Sequence, residues 1–178
     1  MAKRKPSKIV VDASVARASG REDATYPTSI RCCQFLKAFQ ECEFLLVMSP
    51  EIELEWNQHK SHYASKWIVQ MYGRKRVVNV GNVNDTHLRE RIRNTSKIKK
   101  EQQAMEKDCR LLEAALATDQ RIVSLDKTVR KLFRHAAKAI REIQSIVWVN
   151  TDNEDDDAVN WLKNGARAEK KRQLRNMD

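Results

Sequence analysis

Short apolar runs separated by longer amphipathic stretches constrain this chain more than any other feature. Ile9-Val10-Val11, Phe44-Leu45-Leu46-Val47-Met48, Ile122-Val123-Ser124-Leu125 and Ile146-Val147-Trp148-Val149 do not alternate strictly between apolar and polar residues. A strand with one wet face alternates, whereas a strand covered on both faces is apolar almost throughout. Arg76-Val77-Val78-Asn79-Val80, ahead of a Gly81-Asn82 turn, adds a further short strand. Such strands interleaved with helices call for a mostly parallel sheet between helical layers. The expected fold class is α/β, a helix-rich, Rossmann-like α/β/α sandwich.

The helices follow from the 3.6-residue period. Ile30, Cys33, Leu36, Phe39 and Cys42 share one face, and so do Met105, Cys109, Leu112 and Leu116. Val129, Leu132, Phe133, Ala136 and Ile140 mark another helix. Ser49 followed by Pro50 reads as an N-cap and first turn, opening a helix with Ile52, Trp56, His59, Tyr63 and Trp67 on one stripe. The aromatic residues of that stripe have the spacing of core residues rather than of a base-stacking platform. Residues 16–28, polar and containing Gly20 and Pro27, read as a loop or frayed helix. Chain length suits one domain. Residues 1–7 form a basic arm, residues 8–150 the domain, and residues 151–178 an extension that is acidic at Asp152–Asp157 and basic at Arg167–Arg175, with a short helix around Trp161.

A formal charge of +10 makes a polyanion the default partner, nucleic acid above all, against the alternative of a merely soluble surface. The most basic segment, Arg89, Arg91, Arg93, Lys97, Lys99 and Lys100, stands just ahead of an acidic helix and is expected to contact phosphate. No apolar run reaches membrane-spanning length, and the amino terminus lacks the apolar segment of a signal peptide, so a cytoplasmic protein with no membrane partner is expected. The four cysteines lack paired metal-site spacing and read as packing residues.

The chemistry lies in four acids. Asp12 ends the first strand run and Asp126 the run at Ile122, so neighbouring parallel strands would set these carboxylates side by side. Asp108 and Glu55 sit at the borders of apolar helix stripes, with Glu51 close enough to replace Glu55. Each acid taken singly could be a helix cap or a solvated group. Four converging carboxylates without a cation would repel one another, and oxygen-only ligands favour Mg²⁺ or Mn²⁺ over zinc. His59 and His62 lack the further ligands of a transition-metal site, and the acids of Asp152–Asp157 are accounted for by the positive end of a helix.

The run DxxLLEAALxxDxxIVSLD from Asp108 to Asp126, with VVDAS ending at Ser14 and SPxxxxE ending at Glu55, resembles the acidic signature of PIN-domain nucleases. The similarity spans about residues 8–150. It implies that Asp12, Glu55, Asp108 and Asp126 hold Mg²⁺ or Mn²⁺, with Ser14 and Ser124 as hydroxyls supporting those acids. It further implies an endoribonuclease acting on single-stranded RNA, in which an acidified water attacks the phosphodiester in line. Competing readings are a structure-specific DNA nuclease and a non-catalytic RNA-binding module of the same fold. The resemblance extends to toxins of toxin–antitoxin pairs, and so to a protein inhibitor and a homodimer. Those toxins are shorter, however, and carry an apolar helix directly after the first aspartate, where residues 17–27 here are polar. The basic stretch before Asp108 and the tail after Asn150 are also additional.

Overall fold

A computed structural model describes residues 5–176; the first four residues of the basic arm lie outside the described residues. Five strands, β1 (Lys8–Val11), β2 (Leu45–Met48), β3 (Val77–Asn79), β4 (Arg121–Val123) and β5 (Val147–Val149), form one all-parallel sheet in the order β3-β2-β1-β4-β5. Between them run helices α1 (Ala13–Ala18), α2 (Pro27–Glu41), α3 (Pro50–His59), α4 (His62–Gly73), α5 (Thr86–Arg93), α6 (Lys99–Leu116) and α7 (Lys127–Ala137), with α8 (Ala158–Lys163) after β5. The expected α/β sandwich with a parallel sheet is the fold observed.

The strands are apolar because both faces are covered. Ile9, Val10 and Val11 are fully buried, as are Ile122, Val123 and all of β5. Each such side chain contributes about 1.5–3 kcal/mol on leaving water. Helices α1, α2, α3 and α4 pack among themselves, and α5, α6 and α7 pack together. Two layers of this kind follow when every crossover is right-handed. The chain winds outward from β1 through β2 to β3, then crosses back to β4 and on to β5. The winding direction therefore reverses between β1 and β4, where Val10 pairs with Ile122 and Val11 with Val123. Ligand crevices in open α/β sheets form at this reversal, outside the carboxyl ends of the strands.

Three helix-to-strand turns, at Glu43, Lys75 and Gln120, use a left-handed residue that is not glycine, with φ between 56° and 65°. Each such residue costs on the order of 1 kcal/mol relative to glycine.

The structure corrects the expected boundaries in two places. Of residues 16–28, expected as a loop or frayed helix, residues 16–18 complete α1 and residues 27–28 open α2, while the segment between them is non-helical and carries Gly20 at φ +64°. The single helix expected through Trp67 is two helices. Lys60 is extended (ψ 136°), and the Ser61 hydroxyl caps α4 by accepting from the Ala64 N–H at 3.1 Å. His59 and His62 therefore do not share a helix face.

The extension after Asn150 folds onto the domain. Asp152 and Glu154 pair with Arg31, and buried Asp156 accepts from Arg130 at 2.7 Å and from the Asn150 N–H at 2.7 Å. Ion pairs to the domain, rather than a helix dipole, account for these three acids. Gln173 bridges antiparallel to Val147 and covers the outer edge of β5. Among the described residues no helix is long and apolar enough to cross a membrane.

Candidate active site

At the reversal point lies a pocket of about 630 Å³ whose lining includes Asp12, Glu55, Asp108 and Asp126. The four acids singled out from the sequence thus share one cavity. Asp12 directly follows β1, and its N–H donates to the Val123 carbonyl at 2.9 Å, which extends the β1–β4 pairing by one residue. Although Asp12 occupies the N-cap position of α1, its carboxylate makes no capping bond. Its Oδ2 instead accepts from Ser14 Oγ at 2.6 Å and Ser124 Oγ at 3.0 Å. The simple cap reading therefore fails for Asp12.

Asp126 does two things at once. Its Oδ1 accepts from the Val129 N–H at 2.9 Å and caps α7, while the side chain lines the pocket. Ser124 Oγ also accepts from the Asp126 N–H at 3.2 Å, so one buried hydroxyl ties the two strand-end acids together. Behind β1, Trp56 donates its indole N–H to the Val11 carbonyl at 2.8 Å and stacks on Trp67 with ring centroids 5.9 Å apart. Both rings are core, as their spacing implied.

Glu55 lines the pocket and Glu51 does not. Glu51 accepts from Arg89 at 3.0 Å and from Asn84 at 2.8 Å, which leaves Glu55 as the acid that α3 supplies to this cavity. His59 stands 3.6 Å from Glu55. Asp108 is buried, and desolvation, followed by the charge of Asp12, pushes its carboxyl from 3.8 to about 6; Asp126 adds to the rise, while Arg110 and Lys107 oppose it.

Sequence reasoning missed Arg110, which is buried and lines the pocket. Its guanidinium reaches Asp108 at 3.1 Å and Glu55 at 3.8 Å, and it donates to the Lys107 carbonyl. The premise that the acids converge without a cationic partner is thereby corrected. A signal was present in CRLLEAAL, where two charged residues interrupt an otherwise apolar run. Every residue from Asp108 to Ala115 is buried, so both Arg110 and Glu113 must find partners inside. Arg17 and Lys107, also missed, line the same pocket as exposed cations without a salt bridge among the described residues.

The basic segment divides in two. Arg89 binds buried Glu113 through two bonds of 2.7 Å as well as Glu51, and Arg91 pairs with Glu142 at 2.6 Å. These two arginines are engaged within the domain. Arg93, Lys97, Lys99 and Lys100 are exposed, with no side-chain partner among the described residues. Lys99 opens α6 about 14 Å along the helix axis from Asp108.

Among the described residues no three His, Cys, Asp or Glu side chains form a ready-made cation-binding group. Asp12 accepts from two hydroxyls, Asp126 caps α7, and Arg110 lies between Asp108 and Glu55. The donor chemistry nonetheless suits a hard divalent cation. All four donors are carboxylates, and Asp12 Oδ1 and Asp126 Oδ2 accept no hydrogen bond among the described residues. All four cysteines are free thiols. Burial pushes Cys32 up to about 11 and Cys109 up to about 12, which keeps both protonated and chemically quiet. Comparison of the chain with known protein families, with curated proteins and with solved structures returns no match.

Proposed function

We propose that the protein is a Mg²⁺- or Mn²⁺-dependent endonuclease that hydrolyses phosphodiester bonds of single-stranded RNA. The observation that carries this reading is the meeting of Asp12, Glu55, Asp108 and Asp126 in one pocket at the β1–β4 reversal. These four acids would hold the cation. When bound, a divalent ion supplies charge for phosphoryl oxygens and makes water a better nucleophile.

The remaining work falls to this chain's own groups. Ser14 and Ser124 both bind Oδ2 of Asp12 and so orient that carboxylate with Oδ1 unengaged. The cap at Val129 does the same for Asp126, leaving Oδ2 unengaged. Arg17 and Lys107 on the pocket lining provide positive charge for the phosphates flanking the scissile one. RNA is favoured over DNA by the sequence resemblance, and flap DNA offered beside single-stranded RNA separates the two. The test is Mn²⁺-stimulated cleavage of a labelled single-stranded RNA. Asp12→Asn and Asp126→Asn each lower the rate by on the order of 100-fold with unchanged circular dichroism. Full activity in either purified variant overturns the proposal.

Arg110 favours a second reading, a nucleic-acid-binding module without turnover. Its guanidinium already supplies counter-charge to Asp108 and Glu55, which reduces the need for a cation. Calorimetric titration with Mn²⁺ discriminates. Heat above that of Asp126→Asn supports the nuclease, whereas identical traces with salt-sensitive RNA binding retained select the module.

A further inference from the structure

We propose that a second surface, the groove between α7 and the C-terminal extension, binds the phosphate backbone of a single nucleic-acid strand leading to the acidic pocket. The inference rests on the nucleic-acid part of the reading above and not on turnover. The groove has a volume of about 410 Å³, and its lining sets five cations, Lys127, Arg130, Lys131, Arg134 and Lys171, against two carboxylates, Asp155 and Asp156.

Charge balance is the first argument. Lys127, Lys131 and Arg134 recur at four- and three-residue intervals, so they share one face of α7. Like charges so placed repel one another and destabilise the helix that carries them. None of the three has an ion-pair or side-chain hydrogen-bond partner among the described residues. Arg130, between them, is treated differently: its guanidinium binds Asp156 at 2.7 Å and the Trp148 carbonyl at 3.1 Å. The buried carboxylate of Asp156 thus serves the inner arginine, and the outer row faces a groove whose one other acid, exposed Asp155, is outnumbered by the cations.

Position is the second. Helix α7 begins immediately after Asp126, which lines the acidic pocket, and Lys127 is the first residue of the groove. A strand crossing the pocket would meet this row next. The extension supplies the opposite wall. Arg172 donates to the Asp156 carbonyl and Gln173 bridges to Val147, which sets Lys171 in the groove lining opposite α7, its ammonium 3.6 Å from half-buried Glu169, an acid that Arg172 shares. This gives the basic tail a function that its sequence position, far from every candidate acid, does not suggest. A concave row of cations suits a phosphodiester backbone, which can enter it; a membrane plane cannot reach its floor.

The test is fluorescence anisotropy of a fluorescein-labelled oligouridylate with the full chain in EDTA, at several KCl concentrations. The variant Lys127→Ala/Lys131→Ala/Arg134→Ala/Lys171→Ala is expected to bind on the order of tenfold more weakly or worse, and to lose about 0.7 per cation from the log–log salt slope. Thermal midpoints equal to wild type establish that the fold is intact, and single Lys131→Ala supplies the smaller version of the same effect should the quadruple variant unfold. An unchanged slope and affinity overturn the proposal. Tighter binding of polyglutamate than of oligouridylate by the wild type overturns the assignment to nucleic acid. Cleavage is read separately with Mn²⁺: no turnover with the slope loss present discards the nuclease and keeps the groove.

Discussion

The Ser124 hydroxyl donates to Asp12 Oδ2 at 3.0 Å across the junction of β1 and β4, two strands that lie side by side only because the chain reverses its winding there. The same oxygen accepts from the Asp126 N–H at 3.2 Å, so the Ser124 side chain is bonded to both strand-end acids.

Ser124→Ala removes one of the two donors to Asp12 and strands the Asp126 N–H. A stability loss of about 1–3 kcal/mol is expected, with Mn²⁺ binding weakened by about 10–100-fold. Ser124→Thr, which restores the hydroxyl on a strand-compatible side chain, should recover both. Urea unfolding and calorimetry check this. A stability loss without any change in Mn²⁺ binding would reduce Ser124 to a structural role.

Asp108 should cost the protein stability. Burial and the charges of Asp12 and Asp126 raise its carboxyl to about 6 in the folded state, above its ordinary 3.8. The folded form therefore holds this proton more tightly than the unfolded form, so stability falls as pH rises from about 4 to about 6 and stays lower beyond. Asp108→Asn should stabilise the protein at neutral pH by up to about 3 kcal/mol, the net charge penalty in which the attraction of Arg110 is already included. At about pH 4 the gain should vanish. Urea midpoints at the two pH values decide it, and equal midpoints at neutral pH would contradict the assignment.

The two halves of the basic segment should separate by experiment. Arg89→Ala leaves buried Glu113 without its ion partner and should cost about 3–5 kcal/mol. Lys97→Ala/Lys99→Ala/Lys100→Ala alters exposed, unpaired side chains and should leave stability within about 0.5 kcal/mol per site. The triple variant should instead weaken RNA binding and flatten its salt slope by about 0.7 per lysine. Thermal denaturation and anisotropy read both effects. A stable Arg89→Ala protein with weakened RNA binding would return Arg89 to phosphate contact.

Much of the fold was legible because it is written in local patterns. Unbroken apolar runs marked the strands, helical spacing marked α2, α6 and α7, and Ser49-Pro50 marked the start of α3. The same patterns placed Asp12 and Asp126 at strand ends and Asp108 at a helix border. Local patterns misled where a cap outweighed periodicity, as at Ser61, where an apolar stripe runs on through a break in the helix.

Residue order alone thus determined which segments become strands and helices and which acids stand at their ends, since hydrogen bonds and side-chain periodicity act within a few residues. Tertiary structure decided what those acids face. It set β1 beside β4, turned Glu51 toward Arg89 and Glu55 toward the pocket, placed Arg110 between Asp108 and Glu55, and folded the C-terminal extension against α7. Charges are compensated through space, and whether an acid finds an arginine, a hydroxyl or an opening depends on which distant segments the sheet brings together.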